Sequence, residues 1–287
     1  MAITVDMTFR FVPSTSSDSN ELFITIRPEP GTGKWQYSLS RFLFQPDNLY
    51  EYLGDITNST AKDKVVRVYV GQNDDLYPRD PFREVAWTTI TVDVARTKLI
   101  PFILRQFSPT EYPTRSLVIT AAPSKEIKML LNIFFKEFGK KKHFQDITIA
   151  YCGESTESFL QGQIDSEDVQ FLTLTGSWPN ESRAILKNYL TKTKTARVTL
   201  SATNQIKFDK ELVDLVIGNF NKGRLEKLKN VAGPIDVDVA YVKSHKGGQT
   251  QEQSKSIMWF SPNQVESLEF KVEGKKASFT TEYVMFN

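Results

Sequence analysis

Apolar and polar positions alternate in two different rhythms along this chain. In the middle, short apolar segments are each followed by a stretch with helical spacing. These segments are Leu117-Val118-Ile119, Ile147-Thr148-Ile149, Leu172-Thr173-Leu174 and Val198-Thr199-Leu200, and each reads as a strand. The clearest helix follows Pro123-Ser124, where Ile127, Leu130, Leu131, Phe134, Phe135 and Phe138 form one broad apolar stripe that Gly139 stops. A short helix is predicted around Phe159 and Leu160. Another follows Pro179, with Ile185, Leu186, Tyr189 and Leu190 on one face. A third, capped by Asp209, carries Leu212, Val213, Leu215, Val216 and Phe220. Upstream, Asp93 is the predicted cap of a helix with Leu99, Ile100, Ile103, Leu104 and Phe107. Pro101 inside it predicts a kink or a later start.

The two ends follow the rhythm of strands. Glu21 to Ile26 alternates, Pro28 to Gly33 turns, and Lys34 to Leu39 alternates again with Trp35, Tyr37 and Leu39 on one face, which predicts a hairpin. Val65 to Val70 reads as a further strand, ended by Gly71 to Asp75. Pro13 to Asn20 reads as a polar loop or arm. After Gly233 the helix signals fade. Ile235 to Val242 alternates like a strand and Ser244 to Ser254 reads as a loop. Ile257 to Phe260, Leu268 to Val272 and Ala277 to Met285 read as strands, with Glu273-Gly274-Lys275-Lys276 as a turn.

The four central strands are centred near residues 118, 148, 173 and 199, steps of 30, 25 and 26 residues. Recurring strand–helix units of that length predict an α/β fold built as a short leucine-rich-repeat-like solenoid with β-rich N- and C-terminal caps. The expected divisions are an arm over 1–20, a β-rich cap over 21–92, strand–helix repeats over 93–232 and a β-rich segment over 233–287. In three units the strand core is apolar–Thr–apolar. Side chains alternate across a strand, so the flanking Ile, Leu and Val face the helices while Thr points away. A sheet covered on both faces would carry unbroken apolar runs instead. The threonines therefore predict one open face, although Thr is also simply a good strand former.

Composition narrows the chemistry. Of 287 residues, 40% are apolar and 24% charged, with a formal net charge of +2, as in an ordinary soluble chain with a large core. Residues 111–230 hold 18 basic and 14 acidic side chains, too mild an excess to predict nucleic-acid binding. The dense run Lys140-Lys141-Lys142-His143 fits cations at a helix C-terminus, with nuclear import as the alternative. A single cysteine, Cys152, leaves no internal disulfide, and His143 and His245 lie far apart in sequence. No metal or other cofactor is therefore expected. The absence of an N-terminal leader pattern and of a long apolar stretch predicts no membrane span and a reducing cytoplasmic or nuclear compartment. The sequons at Asn58 and Asn180 then read as chance matches.

Candidate catalytic motifs dissolve on inspection. Gly31-Thr32-Gly33-Lys34 resembles a phosphate loop, but Pro28 and Trp35 stand where that loop needs Gly and Ser or Thr. Cys152 ends a predicted strand with His143 at the opposite end, too far for an activating pair. Asp74-Asp75 and Glu167-Asp168 fall in polar turns.

Three blocks carry a family likeness: Phe144 to Ile149, Glu157 to Gln163, and Leu172 to Pro179. With Glu21 to Ile24, Gly33 to Tyr37 and Phe208 to Leu212, they resemble the nematode F-box-associated proteins over roughly residues 21–220. The resemblance implies a divergent recognition domain, in some members attached to an F-box that docks ubiquitin-ligase subunits. Residues 1–20 are too short and too strand-like for a helical F-box, so the likeness is to the recognition domain.

The expected function is therefore a non-enzymatic protein-recognition domain with an unknown protein partner. Its expected binding residues point away from the helices: Asp146, Thr148 and Ala150; Thr173 and Thr175; Arg197, Thr199 and Ser201. The rival expectation is an enzyme with a shallow site on the loops at Cys152 to Ser155, Gly176-Ser177 and Ala202 to Asn204, where open α/β sheets place ligands. A structural paralogue without a ligand is the third.

Overall fold

The N-terminal alternation folds into two long antiparallel strands, β1 (Asn20–Pro28) and β2 (Trp35–Gln45), joined by a turn in which Gly31 and Gly33 take positive φ. Next come β3 (Asn48–Tyr52), β4 (Asp63–Val70) and β5 (Thr88–Ile90). A continuous helical run follows, comprising α1 (Val92–Val94), a wide turn over Ala95–Leu99 and α2 (Ile100–Gln106). Strand–helix pairs then alternate: β6 (Ser116–Ile119) with α3 (Lys125–Phe138), β7 (Asp146–Ala150) with α4 (Glu154–Asp165), β8 (Phe171–Thr175) with α5 (Arg183–Lys192), and β9 (Arg197–Leu200) with α6 (Lys210–Asn221). The chain closes with β10 (Asn230–Pro234), α7 (Val239–Lys243), β11 (Gln249–Gln251), β12 (Ser256–Phe260), β13 (Glu266–Glu273) and β14 (Lys276–Tyr283). The computed structural model describes residues 20–29, 31–45, 48–71, 86–107, 115–120, 125–139, 144–193, 197–223, 230–251, 256–261 and 266–283. The expected arm before residue 20, the opening at Pro123-Ser124, Asp74-Asp75 and the basic run ending at His143 lie outside the described residues.

All fourteen strands join one mixed sheet in the order β11-β12-β13-β14-β10-β9-β8-β7-β6-β4-β1-β2-β3, with β5 on β2. This overturns the expected leucine-rich-repeat-like solenoid with separate caps. The expected cap strands β1, β2, β13 and β14 belong to the same ladder as the middle: β1 pairs β4 in parallel and β14 pairs β10 antiparallel. A local step length records only that strands and helices recur. It carries nothing about which strands continue the ladder at either end. β10 straddles residue 232, joining β9 on one side and β14 on the other.

From β4 to β10 each new parallel strand lands beside the last, always in the same direction. Right-handed crossovers that keep advancing one way place all their helices on one face. Burial agrees. Leu117, Ile119, Ile147, Ile149, Leu172, Leu174, Val198 and Leu200 share one apolar cluster with α2 through α6. Phe134 and Phe138 stack at 4.1 Å, Phe135 stacks on Phe159 at 4.5 Å, and Phe107 meets Phe144 edge-on at 5.0 Å.

Buried polar side chains tie α4, α6 and the loop after β8 to their neighbours, as buried polar groups require. The Gln163 side-chain oxygen accepts from Phe144 N at 2.9 Å. Asn219 donates to the Leu190 carbonyl at 2.9 Å, and Trp178 Nε1 donates to the Ile149 carbonyl at 3.2 Å. Three local expectations are corrected. Thr91, not Asp93, caps the first helical run, accepting from Val94 N. The run widens over Ala95–Leu99, just before Pro101, which makes room for a ring that would otherwise strike the preceding turn. Part of the alternating stretch Ile235 to Val242 is helix α7, capped by Asp238. Its alternation is short enough to fit either period.

One charged group is locked into the lower end of the β1–β4 region. Asp63 is fully buried and accepts from Arg41 at 2.9 and 2.8 Å, from Asn20 at 2.7 Å and from Thr60 N at 2.6 Å. Burial alone would raise its carboxyl. The Arg41 guanidinium, the Thr60 amide and Asn20 outweigh that and hold it below the ordinary aspartate range. Removing the charge strands Arg41, so Asp63→Asn should lower stability by about 3–5 kcal/mol in urea unfolding. A depressed carboxyl stabilises above the ordinary aspartate range and loses that contribution as pH falls through its lowered value. The gap between wild type and variant should therefore narrow in strong acid, and a gap independent of pH would refute the lock.

Candidate functional site

The face away from the helices is built by register. One transverse row runs Phe23, Arg67, Ser116, Asp146, Phe171, Arg197 and Asn230, on seven adjacent strands. A second row runs Ser38, Thr25, Tyr69, Val118, Thr148, Thr173, Thr199, Ala232, Ser278 and Lys271 across ten. At the spacing of paired strands the second row spans about 43 Å. Towards β1, β2 and β4 the face is closed: Phe23, Thr25, Ser38, Ser40 and Tyr69 are buried. Over β7, β8 and β9 it opens to half-buried residues, with Arg197 exposed.

The eight expected binding residues fall together on that open part. Asp146 and Arg197 lie in the first row and Thr148, Thr173 and Thr199 in the second. Ala150 pairs with Thr175 one step further on. Two of them are less available than expected. Ala150 is buried, and the Ser201 hydroxyl donates to the Gly176 carbonyl at 3.1 Å.

Sequence reasoning missed Arg67, Ser116 and Phe171, which complete the charged row. Arg67 was legible as the polar position in an apolar strand, but nothing local places that strand two ladders from Asp146. Arg67 lies over the Phe23 ring at 5.3 Å and Arg197 over the Phe171 ring at 6.0 Å. Asp146 therefore lies in one row with two arginines, each two strands away on either side. Burial pushes its carboxyl above the ordinary aspartate range; Arg67, Arg197 and a hydrogen bond from Ser116 offset this only in part. Two further polar atoms on this face, Thr175 Oγ1 and Asn230 Oδ1, are buried without a hydrogen-bond partner.

Cys152 is buried, and burial pushes its thiol up although Lys128 pulls the other way, the opposite of an activated nucleophile. Its backbone N–H donates to Thr156 Oγ1 at 3.2 Å. Asn204 is buried and accepts from Ile206 N at 3.0 Å. His245 Nε2 lies 2.8 Å from Asp214 at the surface, beside Tyr241. Among the described residues no group of three or more His, Cys, Asp and Glu is placed to hold a metal, and no helix is long and apolar enough to cross a membrane. No family model, curated protein or solved structure matches the chain.

A raised carboxyl stabilises the fold below the ordinary aspartate range and loses that contribution as pH rises through its raised value. Ionised Asp146 is thus a cost to the fold at neutral pH. Asp146→Asn should unfold at pH 7 at or above the wild-type urea midpoint and should remove the wild-type decline between acid and neutral pH. A clear drop in the midpoint would make Asp146 a structural partner of the arginines instead.

Proposed function

We propose that this chain is a non-enzymatic recognition domain that docks a protein partner on the face of its sheet away from α2 through α6. The observation that carries the reading is the alignment of Thr148, Thr173 and Thr199 in one row of adjacent parallel strands, on the side opposite the core cluster. A face kept polar by short β-branched hydroxyls is stiff, since such side chains are restricted at χ1 and lose little ordering entropy on contact. Hydroxyls can donate or accept, and so suit a polar protein surface. The two flanking arginine–phenylalanine pairs add the residue types that anchor protein interfaces. The resemblance to F-box-associated domains points the same way. Under that reading the partner is a recruited protein.

Thr148→Arg, Thr173→Arg and Thr199→Arg combined should keep the urea midpoint within about 1 kcal/mol of wild type. In affinity purification of the tagged chain, the same triple variant should lose the proteins that the wild type captures. Ubiquitin-ligase subunits among the wild-type captures would support the adaptor role. A folded variant with an unchanged set of captured proteins, or an unfolded variant, refutes docking on this face.

A further inference from the structure

His245, the one histidine among the described residues, lies just past α7 with both ring nitrogens facing oxygen. Nδ1 is 3.2 Å from the Tyr241 carbonyl and 3.2 Å from the Val242 carbonyl, and Nε2 is 2.8 Å from Asp214 Oδ1 on α6. Tyr241 donates its hydroxyl to the same carboxylate, at 2.8 and 3.0 Å from its two oxygens, and its ring meets the imidazole edge-on at 5.2 Å. That bond holds the Tyr241 hydroxyl above the ordinary tyrosine range, so it stays a donor. Backbone carbonyls and an ionised carboxylate only accept. A neutral imidazole has one N–H, so it serves one side and turns a lone pair towards oxygen on the other. The imidazolium donates from both nitrogens. The helix end adds to this preference, because its last carbonyls carry partial negative charge that a cation satisfies.

We infer, independently of the docking reading, that protonated His245 is a pH-sensitive clasp between α6 and α7, closed in mild acid and loosened as pH rises. Loss of the ring proton leaves one N–H, which cannot serve both Asp214 and the α7 carbonyls, so one side of the clasp opens while Tyr241 still holds Asp214. Interactions gained by a protonated histidine stabilise in acid and fade as pH rises through the range in which its ring deprotonates. Asp214 is the one charged group among the described residues in hydrogen-bond contact with the ring, and it favours the imidazolium. Lys210 on α6, whose ammonium lies 4.9 Å over the Tyr241 ring, opposes it, as do Lys243 and Lys246, which flank His245 along the chain. Asp238 is engaged at the other end of α7, on the Ala240 amide, and the strands that follow, β11 and β12, carry no ionisable side chain. The clasp reaches beyond α7. Gly248 N donates to the His245 carbonyl at 3.2 Å, so the same residue sets the turn into β11, the last strand at one edge of the sheet.

The full chain, labelled with nitrogen-15, would be followed by NMR from about pH 5 to about pH 8.5, a range that brackets histidine titration. Two signals are read: the protonation of each His245 ring nitrogen, and amide hydrogen exchange over residues 239–245 after correction for its intrinsic pH dependence. At the acid end both ring nitrogens should carry a proton. As the ring deprotonates, corrected exchange in α7 should rise by about threefold, the size expected of a cation lost from a helix C-terminus. His245→Gln should remove both the ring signal and the pH dependence of α7 exchange while keeping the wild-type circular dichroism spectrum. Asp214→Asn, which leaves the imidazole in place, should weaken the same pH dependence, and it carries the test if His245→Gln does not fold. A ring that is neutral across the whole range, α7 exchange that does not follow the ring titration, or an unchanged pH dependence in either folded variant overturns the inference.

Discussion

The structure depends on one constraint: every parallel crossover from β4 to β10 advances in the same direction. A right-handed crossover that never reverses can place its helix on only one side of the sheet. In doubly wound sheets the strand order turns back, both faces gain helices, and ligands collect at the reversal. Here no reversal occurs along β4, β6, β7, β8, β9 and β10. The sheet therefore has no switch-point crevice along these strands. It has an apolar side packed by α2 through α6 and a side those helices never reach. The flanking antiparallel strands extend this two-sidedness, since Phe270, Ala277 and Phe279 join the same core while Ser278 and Lys271 continue the outer row.

This sidedness decides what each strand position must be. On β6 to β9, positions facing the helices carry Leu, Ile or Val, while positions facing away are mixed, with Thr, Ser, Arg and Asp beside Val118 and Phe171. Threonine satisfies both demands on the outer side: its branched β-carbon suits the pleated backbone and its hydroxyl suits water or a partner. Asp146 is the exception. Nothing in the packing calls for a carboxylate there, and its surroundings disfavour the charged form. Asp63 offers the contrast within the same sheet. Its side chain is shut off from water, yet four donor contacts hold it ionised. Donors outweigh burial at Asp63, whereas burial outweighs Arg67, Arg197 and Ser116 at Asp146.

Much of the local structure was legible because it depends on short-range periodicity. The α3 stripe, the Asp209 cap, the hairpin of β1 and β2 and the inward or outward direction of Thr148, Thr173 and Thr199 all follow from neighbours in sequence. What stayed hidden depends on register between distant strands. Arg67 and Asp146 share a row only because β6 lies between their strands, and no local signal encodes that. The same gap produced the solenoid expectation: a step of 25 to 30 residues is as compatible with a stack of autonomous units as with the middle of one mixed sheet. Strands β5 and β11 are only three residues long and mostly polar, so their sequences resemble loops. The Ile235 to Val242 alternation failed for the opposite reason, because it was too short to separate a strand from the turn of helix that Asp238 caps.

The residues behind the family resemblance have structural tasks of their own. Trp178 is buried and holds the Ile149 carbonyl, Gln163 holds the Phe144 amide, Asp209 caps α6, and Trp35 and Phe208 are buried in the core. They maintain helix-to-strand packing on the covered side. The outer row of Arg67, Asp146, Phe171 and Arg197 contributes almost nothing to that likeness, with only Asp146 inside one of the quoted blocks. A resemblance carried by packing and capping residues speaks to how the chain folds. Recognition would be set by side chains that the core does not constrain, which are free to differ between proteins sharing the same interior. The chemistry of any partner would therefore be read from the outer face itself, where Asp146 shares a row with Arg67 and Arg197.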